Sequence, residues 1–363
     1  MKDQGLKELF GKRLRQARLR AGLSMDDLCE KIGRIVTKQS ISKYETGRSM
    51  AGENVVSVLA TALGVPAKFF TQPFSVDFSK LEISFRHKWE FSAKKEKILA
   101  LRAIVFSMVE GAMRYEKILG VETCFKNNLK ARKISTAEDA KKLAIDLRQS
   151  LSLGNAAILN TKELLRAMGV RVFEIGFEEP IDGTSGTICG NVPFVILNFQ
   201  ENTRERMRFT ACHELAHLLA NNWFDKSLDK LAIEKLCNVF ASEFLLPEKV
   251  LVEEFSRERL VFVTELKRVQ KLYGISPDAI IYALKNAGLI DYERFCNYFN
   301  LKKKNKKLRE ELEKTAFVED DCEQESFEAM VAKGLHEKVI SEEKAKEFLN
   351  HRKDGVGNVL IGF

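Results

Sequence analysis

Histidine is scarce in this 363-residue chain, five in all, and no apolar run is long enough to cross a bilayer. The nearest approach, Ile98–Val109, is broken by Arg102. The opening residues, Met1-Lys2-Asp3-Gln4-Gly5, contain no apolar stretch of the signal-peptide kind. Seven cysteines are scattered from Cys29 to Cys322, with no C-x-x-C pair among them. An odd, dispersed set argues against a disulfide framework and for reduced thiols in a cytoplasmic protein. A phosphate-binding loop is missing too. Gly183, Gly186 and Gly190 are followed by no Gly-Lys-Ser/Thr and by no immediate helix, so hairpin turns explain them.

What is present suits a soluble protein of two or three domains. Hydrophobic residues make up 45% and charged residues 30%, enough to bury real cores. The net charge of +8 is uneven: residues 1–50 carry 12 Lys/Arg against 6 Asp/Glu, an excess of six. A basic end on a nearly neutral remainder suggests a module that faces nucleic acid.

The helical patterning of that end is specific. Leu6, Leu9, Phe10, Leu14 and Ala17 form one stripe, with Arg13, Arg15, Arg18 and Arg20 expected largely off it. Gly22 ends the helix. Ser24 with Asp27 resembles a capping box opening a second helix, which Gly33 closes. Thr37 is a plausible N-cap for a third helix, Lys38–Glu45, with Ile41 and Tyr44 inward. Lys38, Gln39, Ser42 and Lys43 then point outward, with Ser40 near the helix start. Glutamine can pair bidentately with adenine and lysine reaches guanine or phosphate, so this helix suits a major groove. Glu53–Leu63 and a short turn after Pro66 complete five helices.

The pattern resembles the Cro/repressor-type (XRE) helix-turn-helix family. It is carried by Gly22-Leu23-Ser24, by Ile41-Ser42-Lys43-Tyr44-Glu45-Thr46-Gly47 and by Leu59-Ala60-x-Ala62-Leu63-Gly64-Val65. The resemblance implies dimeric binding to double-stranded DNA. The Gly33–Ile41 connection is about two residues longer than usual, which would tilt the recognition helix.

Residues 71–134 read as a linker, Phe-rich and irregular over 71–93, followed by a long amphipathic helix, Lys94–Leu119. That helix could pack on the C-terminal domain or on a second subunit. Two helices, Ala137–Gln149 and Thr161–Met168, come next. Val170–Ile175, Gly186–Cys189 and Phe194–Asn198 read as a small antiparallel sheet.

Two of the five histidines fall in His213-Glu-Leu-Ala-His217. Imidazoles four residues apart share one helix face, where they can supply two nitrogens to a tetrahedral Zn2+ that keeps one position open for water. Glu214 beside them would stay off the metal and take a proton from the water. Thr210, one turn earlier, shares the face. A third ligand is needed. Glu234 is the first candidate, 17 residues on, with Asn238 one turn beyond it placed to hold an imidazole N–H. Asp225, Asp229 and Glu243 are rivals. The strand Phe194–Asn198 could pair with an extended substrate.

Arg208-Phe209-Thr210-Ala211-Cys212-His213-Glu214-Leu215-Ala216-His217 precedes a second motif, Glu234-x-x-Cys237-Asn238-x-Phe240-Ala241-x-x-Phe244-Leu245-Leu246-Pro247. Together they resemble the ImmA/IrrE family of zinc metallopeptidases. The resemblance implies a thermolysin-like core over residues 135–300. It assigns His213, His217 and Glu234 to the metal and Glu214 to catalysis, and makes the substrate a repressor of the helix-turn-helix class. Ala216 stands where glycine is frequent and Cys237 where alanine is, both small. The expected class is therefore mainly α with a small sheet (α+β). An N-terminal helix-turn-helix of residues 1–70 is joined to a minimal zincin, with a basic linker and helical tail over 301–363. The alternative is a non-catalytic repressor that senses metal or a ligand.

Overall fold

In the computed structural model, which describes residues 2–75, 81–84, 95–120, 123–176, 181–200, 202–255, 261–315 and positions 317, 331, 335–336, 340–342 and 345, the first helices begin where cap residues stand. Helix α1 spans Lys2–Arg20, α2 Met25–Lys31, α3 Lys38–Glu45 and α4 Glu53–Leu63, with a 3-10 turn over Ala67–Thr71. Ser24 and Asp27 form a reciprocal capping box on α2. Thr37 Oγ1 accepts the Ser40 amide at the start of α3, a cap that contributes about 1 kcal/mol. The long α2–α3 connection is absorbed by two consecutive left-handed residues, Gly33 (φ 68°) and Arg34 (φ 55°). Phe10, Leu14, Leu28, Ile41, Leu59 and Phe70 form the core of this bundle. Helix α3 crosses α1 at Gly11, where a Cβ would come within 2.3 Å of the Tyr44 carbonyl oxygen.

The arginines of α1 correct the sequence reading. Arg15 is exposed, but Arg13, Arg18 and Arg20 are buried. Arg18 grips Glu45 with two bonds of 2.6 and 2.9 Å and so ties α3 to α1. Arg13 leaves the bundle altogether. It makes a two-pronged contact with Glu110 at 2.7 and 2.8 Å and donates to the carbonyl oxygens of Gln72 and Pro73. Its guanidinium lies 3.7 Å from the centre of the Phe74 ring.

Glu110 belongs to α5 (Lys95–Leu119), the long helix expected in the linker. Its middle, Val105–Ala112, is buried all round because it is packed on two sides. One side meets α1, where Gln16 donates to Ser107 at 3.0 Å. The other, through Leu101, Val105, Phe106 and Val109, covers one face of a four-stranded sheet at Phe173, Ile175, Phe194 and Ile196.

That sheet is mixed, not antiparallel throughout, and has one strand more than expected. Strands β1 (Leu81–Ser84), β2 (Arg171–Ile175), β3 (Gly183–Ile188) and β4 (Val192–Asn198) lie in the order β1-β3-β4-β2. β3 and β4 form a hairpin whose turn carries two left-handed residues, Cys189 and Gly190. β2 pairs parallel to β4. β1 comes from the stretch expected to be irregular and pairs antiparallel with β3. Phe85, Arg86 and His87 lie outside the described residues.

The opposite face of the sheet, through Val172, Val195 and Leu197, meets a helical body. Its helices are α6 (Ala137–Ser150), α7 (Thr161–Ala167), α8 (Arg204–Ala220), α9 (Lys230–Leu245), α10 (Glu248–Phe255), α11 (Val263–Tyr273), α12 (Pro277–Asn286), α13 (Tyr292–Lys304) and α14 (Lys306–Glu313). The basic run Lys302–Lys307 is not a linker. It spans the junction of α13 and α14, capped by Asn305, and Leu312 of α14 reaches the common core. Most of the tail beyond residue 315, expected to be helical, lies outside the described residues. Val331, Ile340 and Ala345 pack on Tyr115 of α5. No helix among the described residues is long and apolar enough to cross a membrane.

Candidate functional site

Helix α8 begins at Thr203, whose hydroxyl accepts the Arg206 amide. It is buried on nearly every side, because the sheet lies against one flank and α9 against another. Small residues, Ala211, Cys212, Ala216 and Ala241, let α8 and α9 approach closely. Arg208 locks α8 in place by donating to the carbonyl oxygens of Ile158, Leu159 and Gly274. Arg148 does similar work for α9, donating to the Phe244 carbonyl oxygen. Neither role was read from the sequence, where Arg208 stood only as part of a motif.

This scaffold brings the two motifs together. The Nε2 atoms of His213 and His217 stand 3.2 Å apart. Glu234 Oε2 is 3.3 Å from the first and Oε1 is 3.2 Å from the second. A tetrahedral zinc with bonds of about 2.0–2.1 Å separates its ligand atoms by about 3.3–3.4 Å, so this triangle fits such an ion. Asn238 Oδ1 lies 2.8 Å from His213 Nδ1. That contact assigns the ring proton to Nδ1 and leaves the Nε2 lone pair facing the other two groups. The two imidazoles hold the Glu234 carboxyl well below the usual range although burial pushes the other way. Burial likewise opposes, but hydrogen bonds with Cys237 and Glu234 outweigh it, in raising His217 well above 6.5.

The rival acids are engaged elsewhere. Asp225 binds Lys133 and the Ser227 amide. Asp229 caps α9 through the Ala232 amide. Glu243 accepts the Glu248 amide, and burial raises its pKa above the ordinary 4.5. A raised carboxyl favours folding fully below 4.5, and that contribution is lost as pH rises through the folded value. Glu243→Gln is therefore expected to raise the melting temperature at neutral pH and not at pH 4, as thermal denaturation at both pH values would show.

Among the described residues, Thr210 makes no hydrogen bond to the imidazoles. It is buried, and a Cβ on Gly183 of β3 would stand 2.6 Å from its methyl group, so it serves the contact of helix and sheet. Two neighbours were missed. Ser185 of β3 donates from Oγ to Glu214 Oε2 at 2.6 Å. Cys237 offers a buried thiol, which lies with ring nitrogens of His213 and His217 in a group spanning no more than 4.8 Å. The spacing of three between Glu234 and Cys237 was the available signal for the second. For Ser185 there was none.

Comparison with known families agrees with this organisation. Residues 9–68 match a helix-turn-helix domain, and residues 165–285 match the IrrE N-terminal-like domain of peptidase family M78. A helix-turn-helix DNA-binding domain is fused here to an ImmA/IrrE-like peptidase domain. No curated protein matches the chain. In the DNA-binding domain, Lys38, Gln39 and Lys43 of α3 are exposed while Ser40 and Ser42 are half-buried. Lys38 also pairs with Asp26 at 2.5 Å on the open surface, a contact weak enough for a phosphate to replace. Around the candidate metal position, His213, Glu214 and His217 lie within α8 and Glu234, Cys237 and Asn238 within α9.

Proposed function

We propose that the chain is a DNA-binding regulator whose peptidase domain uses zinc to cleave a regulatory protein, either a helix-turn-helix repressor or this chain within its own interdomain stretch. The observation that carries the reading is the near-equilateral triangle of two Nε2 atoms and a carboxylate with Glu214 alongside. His213, His217 and Glu234 would hold the ion. When bound there, zinc lowers the pKa of a coordinated water towards about 7 and polarises a scissile carbonyl.

The chain's own residues do the rest. Ser185 occupies Glu214 Oε2, which leaves Oε1 to accept a proton from water and return it to the departing amine. Asn238 fixes the His213 tautomer. The second reading, a metal sensor without catalysis, has one observation in its favour: the Cys237 thiol beside the imidazoles. A thiolate in the fourth position would exclude water. Against it stands Glu214, buried and held by a serine, for which a closed site has no use. The deciding experiment incubates zinc-loaded protein with the products of neighbouring genes, wild type against Glu214→Gln, and maps new termini by mass spectrometry. Cuts made by the wild type alone support cleavage; identical products from both proteins refute it.

DNA recognition is assigned to α3, with Lys38, Gln39, Ser40, Ser42 and Lys43 as the contacting set and a homodimer on half-sites about one helical turn apart. Lys43→Ala is expected to weaken binding evenly across sequences and to lower the salt slope by about 1. Gln39→Ala should instead cost about 1–3 kcal/mol and relax discrimination at one base. Fluorescence anisotropy with a DNA fragment from upstream of the gene, over a salt series, separates the two.

A further inference from the structure

The strand expected to receive a substrate, Phe194–Asn198, is β4, paired on both sides by β3 and β2. It has no edge to offer. The strand that approaches the proposed catalytic glutamate is β3, through Ser185, and the outer edge of β3 already carries β1.

The register makes this contact notable. Ser84 pairs with Ser185, the residue bonded to Glu214, and Glu82 pairs with Thr187. Side chains alternate along a strand. Glu82, within 3.4 Å of Thr187 Oγ1, therefore shares the Glu214 side of the sheet. Leu81 and Ile83 face the other side and join the cluster built on Val105, Phe106 and Phe173. The seat is shaped for a backbone. A Cβ on Gly186 would stand 2.0 Å from the Glu82 carbonyl oxygen, so a side chain there would evict the strand. Arg102 of α5 donates to the Leu81 carbonyl oxygen at 2.9 Å. β1 also lies outside the matched peptidase domain, which begins at residue 165.

We infer that the outer edge of β3 is where the peptidase domain seats an extended polypeptide as an added antiparallel strand, and that the interdomain strand Leu81–Ser84 is its resident occupant, which a substrate must displace. Ladder hydrogen bonds supply binding without regard to sequence, and alternate side chains supply selection. The class of segment that fits presents apolar residues where Leu81 and Ile83 stand and small or polar ones towards Glu214. A tethered strand competes at an effective concentration of order millimolar, so an incoming segment at micromolar concentration meets a largely occupied edge.

The inference rests on the proposed function only for the cleavage step after binding; occupancy of the edge is tested without catalysis. The probe is a fluorescein-labelled synthetic peptide of residues 76–90, and the protein is the full zinc-loaded chain carrying Glu214→Gln. Adding Leu81→Asp and Ile83→Asp unseats β1 and is expected to tighten peptide binding by about tenfold or more in fluorescence anisotropy. Unchanged affinity, or no binding to either protein, overturns the inference. A second variant guards against misfolding. Glu82→Cys with Thr187→Cys, at paired positions, locks β1 in place when oxidised. The oxidised protein should bind no peptide and recover its affinity on reduction. Equal binding in both redox states overturns the inference. Absence of any proteolysis by the wild-type protein would remove the catalytic reading and leave these binding results standing.

Discussion

Glu214→Gln is expected to keep one zinc per chain and to lose peptide-bond cleavage by about 10²–10⁴-fold. The exchange preserves shape and can still accept the Ser185 hydroxyl at its carbonyl oxygen, but it removes the oxygen that would take a proton. Asn238→Ala should behave in the opposite way. It deprives His213 Nδ1 of its partner at 2.8 Å and frees the ring to turn, which weakens metal binding by about 10–100-fold. Metal content by emission spectrometry, chelator competition and cleavage rate at saturating zinc distinguish them. A Glu214→Gln protein that cuts like the wild type would end the peptidase reading. An Asn238→Ala protein with unaltered zinc affinity would remove the orienting role.

The second large effect is expected far from the metal. Arg13→Ala should destabilise the folded chain by about 3–5 kcal/mol, because it leaves Glu110 charged and buried without its partner. Glu110→Ala should cost a similar amount. Replacing both, Arg13→Met with Glu110→Leu, is expected to recover much of the loss, since desolvation of two ions offsets most of their attraction. Urea denaturation of the four proteins measures the cycle. Equal loss in the double variant and in each single one would show that packing against Phe74, not charge, holds the junction.

How much could be read in advance depends on the range over which each signal acts. Two histidines at a spacing of four declare a shared helix face within one turn. Ser24 and Thr37 declare helix starts within three residues, and Glu234 with Asn238 repeats the same local logic. The buried arginines failed because charge on a helix reads as a solvent face. The partner that reverses this for Arg13 lies 97 residues away. An acid at 110 in the middle of an apolar helix was the available clue. β1 failed for a related reason: four residues in a Phe-rich stretch become a strand only by pairing with β3, about a hundred residues later. The parallel pairing of β2 was equally hidden, because strand direction is set by the path of the chain between β2 and β4 and not by the strands' composition.

Helix α5 acts as a rigid beam gripped from both flanks. At 25 residues it is about 37 Å long, with the helix-turn-helix domain bolted to it by Arg13 and the four-stranded sheet resting on its other side. A helix-turn-helix domain fastened in this way cannot swivel by itself. Any torque applied to it must either shear the bolt or turn the sheet by the same amount.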